Sequence, residues 1–442
     1  MVTALCRFPL VVGVLFTVTA ISSLAVFATQ LVFIVIAAAA SLSIAALWTR
    51  WYVLVLVALE PFGDLLGQLH PLTIKLAGAT LVMGWITRLL VQRRSVRINH
   101  PVLISAGALA LVLLAAFTAH PNGASGVEVS IRYASYLAIL VVLVDSMEHG
   151  LRPMMVAATF VISCSAAAAY GTVAYLVFGA TRAAGPQSDA NDFAFFLLCA
   201  VPLAVALYAR SARRVGWIWA VLTVVLISGI ALTFSRGALL ALGAMLVITL
   251  VRGYVRARYL IAGATLIAVA AMAITSLAPQ EIQRSLTQKE YVADANVSSR
   301  MDSWAMAAEM TADYPLLGRG PGGYRSTAHR YIPENTADTT HLAVPHNMYL
   351  DISSELGIPG LVAFLAMIGL ALHATLRPSR EDSLAAAVFV ALIGTGIAAV
   401  FLSEQYYLPI WLLIALAVAN EKPQRYNEFP SAIALGGGLS WR

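Results

Sequence analysis

The sequence predicts an all-α polytopic membrane protein, with about 12–14 transmembrane helices and one long periplasmic loop. Three observations predict it. Apolar runs of about 20 residues, the length a bilayer-spanning helix requires, recur along almost the whole chain. Charged residues make up 11% of the chain, against roughly 25% in a soluble domain. Lys and Arg gather in short clusters between the apolar runs, as membrane topology is written.

In order, the runs fall at 8–27, 30–48, 51–69, 71–91, 102–119, 127–146, 153–178, 190–209, 215–233, 236–251, 258–276, 347–376, 383–402 and 405–420. The 51–69 run is interrupted by "EPFGD" and is the least regular. Re-entrant short runs would bring the count of crossings down. Arg7 ahead of an apolar stretch ending "AVFATQ" has the form of a signal peptide. A further apolar run begins at Leu31, so a retained first helix is expected.

With the N-terminus placed in the cytoplasm, seventeen Lys and Arg residues of the connections fall inside. Only Lys75, Arg132, Arg182 and Arg236 remain in the short outer connections. That asymmetry puts both termini in the cytoplasm of a multi-pass membrane protein. It also accounts for the basic excess, 28 Lys and Arg against 22 Asp and Glu, without nucleic acid. Cys6, Cys164 and Cys199 share no spacing motif, and the two in apolar runs read as small hydrophobes.

The chain then divides into four parts. Residues 1–276 carry transmembrane helices, and 277–345 form the large periplasmic loop. Residues 346–420 carry the last transmembrane helices, and 421–442 a glycine-rich cytoplasmic tail expected to be disordered. The loop holds eight acidic residues, six basic residues and two histidines. Within it "SSRMDSWAMAAEMTADYPLLG" has helical spacing, predicting a helix near 299–312 with Met301, Trp304 and Ala308 on one side. "GRGPGGY" follows as a glycine-rich turn and lacks the Lys-Ser/Thr of a phosphate loop.

Four outer stretches, the helix and glycine-rich turn of the loop among them, hold more polar detail than connectors need. "GATRAAGPQSDANDFAFF" places Arg182 before a turn and Asn191 at the mouth of a helix, where a plain N-cap is the other reading. "TFSRGALLAL" places Arg236 between two spans with almost no loop. An arginine there is costly unless it pairs, for instance with Glu404 or Glu60, or binds an anion with its bidentate fork. "PHNMYLDISSELGIPG" places His346 at a helix mouth, where backbone N–H groups favour anions. Histidine suits general-base work near neutral pH. Glu355, nine residues on, falls on the opposite face of a straight helix and near the break at Gly357 and Pro359. No Cys/His cluster or HExxH suggests a metal.

Taken in this order, "TRAAGPQSDANDFAFF", "TFSRGALLAL", "SSRMDSW…YPLLGRGPGGY" and "PHNMYLDISSELGIPGLV" resemble the motifs of the O-antigen ligase/polymerase family of bacterial membrane proteins. The resemblance covers about residues 180–365. It implies a metal-independent glycosyltransferase with no cofactor. The donor is a glycan on an undecaprenyl-diphosphate carrier, and the acceptor is lipid A–core in ligases or another lipid-linked glycan in polymerases. It further implies that Arg182 and Arg236 hold the donor diphosphate and that His346 acts at the acceptor hydroxyl. Asn191, Arg300, Arg319, Asn347 and Glu355 would complete the substrate site. The family usually has near twelve spans, below the fourteen counted here.

A lipid-linked-sugar transporter is the competing class. It calls for midplane ionisable residues and broken helices in corresponding halves. Glu60, Pro61 and Asp64 offer one such break, without a counterpart in the second half.

Overall fold

The computed structural model describes residues 41–255, 299–332, 344–380 and 382–421, with the single positions 272 and 283. The spans expected at 8–27 and 258–276, most of 30–48, and the tail from 422 lie outside the described residues.

The fold is all-α and polytopic. Eight helices are long and apolar enough to cross a membrane, and three shorter apolar ones, Arg236–Val251, Ser383–Ala398 and Leu408–Glu421, accompany them among the described residues. The chain forms two compact units. One takes in residues up to Val53 together with Lys75–Ser95, and buries Ala45, Leu81 and Trp85. The other takes in Leu54–Ile74 and everything from Val96 onward, and all the candidate residues lie in it.

The expected interruption at "EPFGD" is real: helix α1 (Thr49–Leu59) passes through a 3-10 turn, Glu60–Phe62, into the short α2 (Gly63–Leu69). Helix α3 (Thr73–Gln92) follows, then α4 (Pro101–Ala119), α5 (Gly123–Glu148) and α6 (Pro153–Phe178). Helix α7 (Ala190–Arg210) is the axis of the larger unit. Phe193 to Leu203 are buried on every side, the signature of a helix surrounded by protein rather than lipid. α6, α8 (Arg213–Leu232), α9 (Arg236–Val251) and α13 (Ser383–Ala398) pack around it. Helix α14 (Leu408–Glu421) is likewise buried from Leu408 to Val418, against α5 and α12 (Met348–Leu376).

The loop helix is present as α10, residues 299–313, but its inward face differs from the expected one. Ser303, Met306, Ala307 and Met310 are buried, while Met301 is 59% exposed. Spacing alone puts Met301, Trp304 and Ala308 on one side. The partners that bury α10 are Tyr324, Ala328 and Leu350, and they select the face rotated away from it. The short α11 (Gly323–Thr327) supplies Tyr324, whose hydroxyl donates to Ser303 O at 3.3 Å.

Helix α12 is broken where the sequence suggested. Gly357 has φ 70° and ψ −177°, a conformation almost reserved for glycine. Pro359 has no N–H to continue the ladder. The freed groups are taken by the loop 314–319: Ile358 N donates to Pro315 O and Arg319 N to Ser354 O, each at 2.8 Å. A Cβ at Gly357 would lie 2.6 Å from the backbone of Leu316, so the crossing tolerates no side chain. Residues 348–356 therefore hang from the loop, and α10 adds a bond between Thr311 Oγ1 and Ser353 Oγ at 2.9 Å.

Candidate functional site

The α6–α7 loop, the α8–α9 corner, α10, the start of α12 and the α13–α14 connection meet at one end of the larger unit. Their meeting is built from short polar contacts. Ala183 N donates to Leu232 O at 2.9 Å, and Met348 N to Ala399 O at 2.9 Å. Phe401 is a shared wall: a Cβ on Gly237 would lie 3.1 Å from its ring, and its carbonyl accepts from Arg300 Nη1 at 3.3 Å.

Arg182 is held by neutral acceptors. Its Nε donates to Thr233 O at 2.7 Å and its Nη2 to Asn191 Oδ1 at 2.8 Å. Asn191 is thus not the helix cap; Asp189 is, accepting from Asn191 N at 2.5 Å and Asp192 N at 3.4 Å. Among the described residues no carboxylate is hydrogen-bonded to the guanidinium. Burial lowers the proton affinity of Arg182, with Asp189 opposing and Arg300 adding to the effect, yet an arginine stays charged. Arg300 is lowered by burial too, again with Asp189 opposing.

The loop that carries Arg182 is itself fixed from below. Gln187 Nε2 donates to Pro61 O at 2.9 Å, and Ser188 gives N–H and O–H bonds of 2.8 and 2.6 Å to Asp64 Oδ2. The "EPFGD" interruption therefore serves as a shelf for the arginine loop. Glu60 accepts from Tyr136 at 2.8 Å and from Leu408 N at 3.4 Å, so it is not a partner for Arg236.

Arg236 is exposed and occupies the first turn of α9, just after Phe234 with φ 51°. A cation at the positive end of a helix is electrostatically unfavourable. Among the described residues Arg236 forms no hydrogen bond or ion pair, and Glu404, the other partner considered, is turned to Asp192. The exposed guanidinium and the N–H groups of the first turn of α9 thus stand together, a setting that favours an anion.

His346 completes this rim. It has φ 49°, an uncommon left-handed conformation for a non-glycine residue, which turns the chain into α12. Burial lowers its proton affinity below the usual value of 6.5, and Arg300 lowers it further against the pull of Asp189. The lowered affinity favours the neutral imidazole, the form a general base needs. Asn347 caps α12 through Oδ1, accepting from Tyr349 N at 3.0 Å and Leu350 N at 3.1 Å.

Two other expected site residues stand elsewhere. Arg319 stacks over Tyr314 at 4.4 Å, and its carbonyl accepts from Asn122 Nδ2 at 2.7 Å. Glu355 is buried beside Asp351, where Tyr406 donates to it at 3.0 Å and Gln405 donates to Asp351 at 2.7 Å. Burial and the Glu355 charge push the Tyr406 phenol well above its ordinary range. The four residues Glu404 to Tyr407 thus serve two helices: Gln405 and Tyr406 reach α12, while Tyr407 donates to Asp192 Oδ2 of α7 at 3.3 Å, and burial pushes the Glu404 carboxyl well above the usual range with help from Asp192 and Asp189. This hub was not foreseen; its one signal was "SEQYY", unusually polar for a tight turn between apolar helices.

Residues 221–365 match the family described as O-Antigen ligase. The matched stretch takes in Arg236, Arg300, Arg319, His346, Asn347 and Glu355, and stops short of Arg182 and Asn191. No curated protein matches the chain. The chain thus carries an O-antigen ligase region over residues 221–365, which supports its place in the O-antigen ligase/polymerase family.

Proposed function

We propose that the protein is an inner-membrane glycosyltransferase of the ligase type. It moves a glycan from an undecaprenyl-diphosphate carrier to an acceptor hydroxyl, that of lipid A–core, at the periplasmic face. The observation that carries this reading is the rim itself: Arg182 bonded by the neutral oxygens of Thr233 and Asn191, Arg300 by the carbonyl of Phe401, and His346 at the turn into α12 beside them. The family match supports the same class of chemistry.

In this mechanism the donor diphosphate lies across Arg182, Arg236 and Arg300. The acceptor oxygen attacks the anomeric carbon and His346 takes its proton. The bond from that carbon to the phosphate oxygen breaks, and the electron pair leaves on the diphosphate. Fixed cations at the leaving oxygens stabilise charge where it develops. A guanidinium fork matches two phosphate oxygens at once, which an ammonium does not.

The same donor chemistry serves a polymerase, whose acceptor is a second lipid-linked repeat. The test is transfer by the purified protein in liposomes, given an undecaprenyl-diphosphate oligosaccharide and either lipid A–core or no second acceptor. Release of undecaprenyl diphosphate with labelled lipid A–core supports the ligase. Chain extension without lipid A–core makes it a polymerase, and no release under either condition removes the transferase reading.

A further inference from the structure

Glu404 lies in the 3-10 turn Glu404–Tyr406 that joins α13 to α14, and is 0% exposed. Among the described residues no N–H or O–H group donates to either of its carboxyl oxygens. The polar group it meets is the carboxyl of Asp192. The groups that face the pair are known from each element around it. α7 supplies Asp192 and Cys199, the α6–α7 loop supplies Asp189, and α2 supplies Asp64. Tyr407 donates its hydroxyl to Asp192 Oδ2. No cationic side chain is among them.

Two carboxylates cannot both be ionised at such close quarters in a buried place, because neither desolvation nor mutual repulsion is offset. One proton shared between the two carboxyls relieves both costs, because it leaves a single charge and gives the undonated Glu404 oxygens a hydrogen bond to Asp192.

We propose that Glu404 is protonated and donates its hydrogen to Asp192, so that the two carboxyls carry one negative charge and act as a positioning pair for Arg182. The path is short: Asp192 follows Asn191, whose Oδ1 holds the Arg182 guanidinium. A second negative charge would offset the cations that the donor diphosphate meets, while no charge at all would loosen the first turn of α7. The proposal rests on the donor-site reading above and deepens it.

Infrared spectra of the full-length protein in detergent test the proton directly. The parent-minus-Glu404→Gln difference should show a protonated-carboxyl C=O stretch at neutral pH that shifts in D2O. A difference showing loss of an ionised carboxylate instead overturns the proposal. Glu404→Gln, which keeps a neutral donor toward Asp192, should bind undecaprenyl diphosphate within about twofold of the parent, since no charge has changed. Loss of about tenfold or more in a variant with the parent's Tm means the ionised form was needed, and the pair fails. If Glu404→Gln does not fold, Asp192→Asn carries the test: the Glu404 band must move when its acceptor becomes an amide, and an unmoved band sinks the pair. A parent protein that shows the band yet binds no undecaprenyl diphosphate keeps the proton pair and removes the donor-site reading instead.

Discussion

The two polar clusters of this molecule share one helix and have opposite character. Around His346 the charges are mainly cationic, with Asp189 as the carboxylate nearby, and among the described residues the hydrogen bonds of Arg182 and Arg300 go to neutral oxygens. Around Asp351 and Glu355, one to three turns further along α12, the charges are acidic, fully buried, and met by Gln405 and Tyr406. Buried polar groups with partners hold a fold together, and cations without carboxylates await a ligand. On the proposed function the first cluster would serve chemistry and the second architecture, whereas the sequence reading placed Glu355 among the substrate ligands.

The sharpest way to break this assignment is His346→Ala. Losing the base should cut kcat by about 10²–10⁴-fold with the Tm unchanged. Transfer at the parental rate by the purified variant would return His346 to a helix-end role. Next in size is Arg236→Lys, which keeps the charge and loses the fork. Charge-assisted bonds are worth about 1.5–3 kcal/mol, so kcat/KM should fall on the order of ten- to a hundredfold. An unchanged kcat/KM would mean that a point charge suffices there.

Glu355→Ala should behave in the opposite way. It strands the Tyr406 hydroxyl in a buried place at a cost of about 1–3 kcal/mol. The expected readout is a lower Tm with the remaining folded enzyme transferring normally, and Glu355→Gln should restore most of it. If kcat collapses while Tm holds, the acidic cluster belongs to the chemistry after all. The smallest expected effect is a shift in pH dependence. His346 has its proton affinity lowered by burial and by Arg300, so activity should fall only as pH drops below the ordinary histidine value. Removing the Arg300 charge raises that affinity, so Arg300→Ala should move the acid limb to higher pH. A limb that stays in place would uncouple Arg300 from His346.

The helices were legible because bilayer length and low charge are properties of single segments. The break in α12 was legible for the same reason, since Gly357 and Pro359 carry it locally. Arg182, Arg236 and His346 stood out because each defied a local rule. What stayed hidden depends on partners far off in the chain. Glu404 and Tyr407 find Asp192, more than two hundred residues earlier, and Gln405 finds Asp351. Asp64 supports Ser188 across more than a hundred residues. The inward face of α10 was misjudged because Tyr324, Ala328 and Leu350, not its own periodicity, decide it.

The seam at Gly357 has a consequence for how the protein is made. Residues 358–376 are long enough to settle in a bilayer by themselves. Residues 348–356 owe their position to Pro315, Arg319 and Thr311, which belong to a different stretch of chain. Insertion and maturation are thus separate events. A newly translated chain can reach its full complement of crossings while His346 still lacks its setting, and competence arrives when the loop docks. A Gly357→Ala chain, with strain of about 1–3 kcal/mol at that position, should accumulate in the membrane as an integrated but idle form.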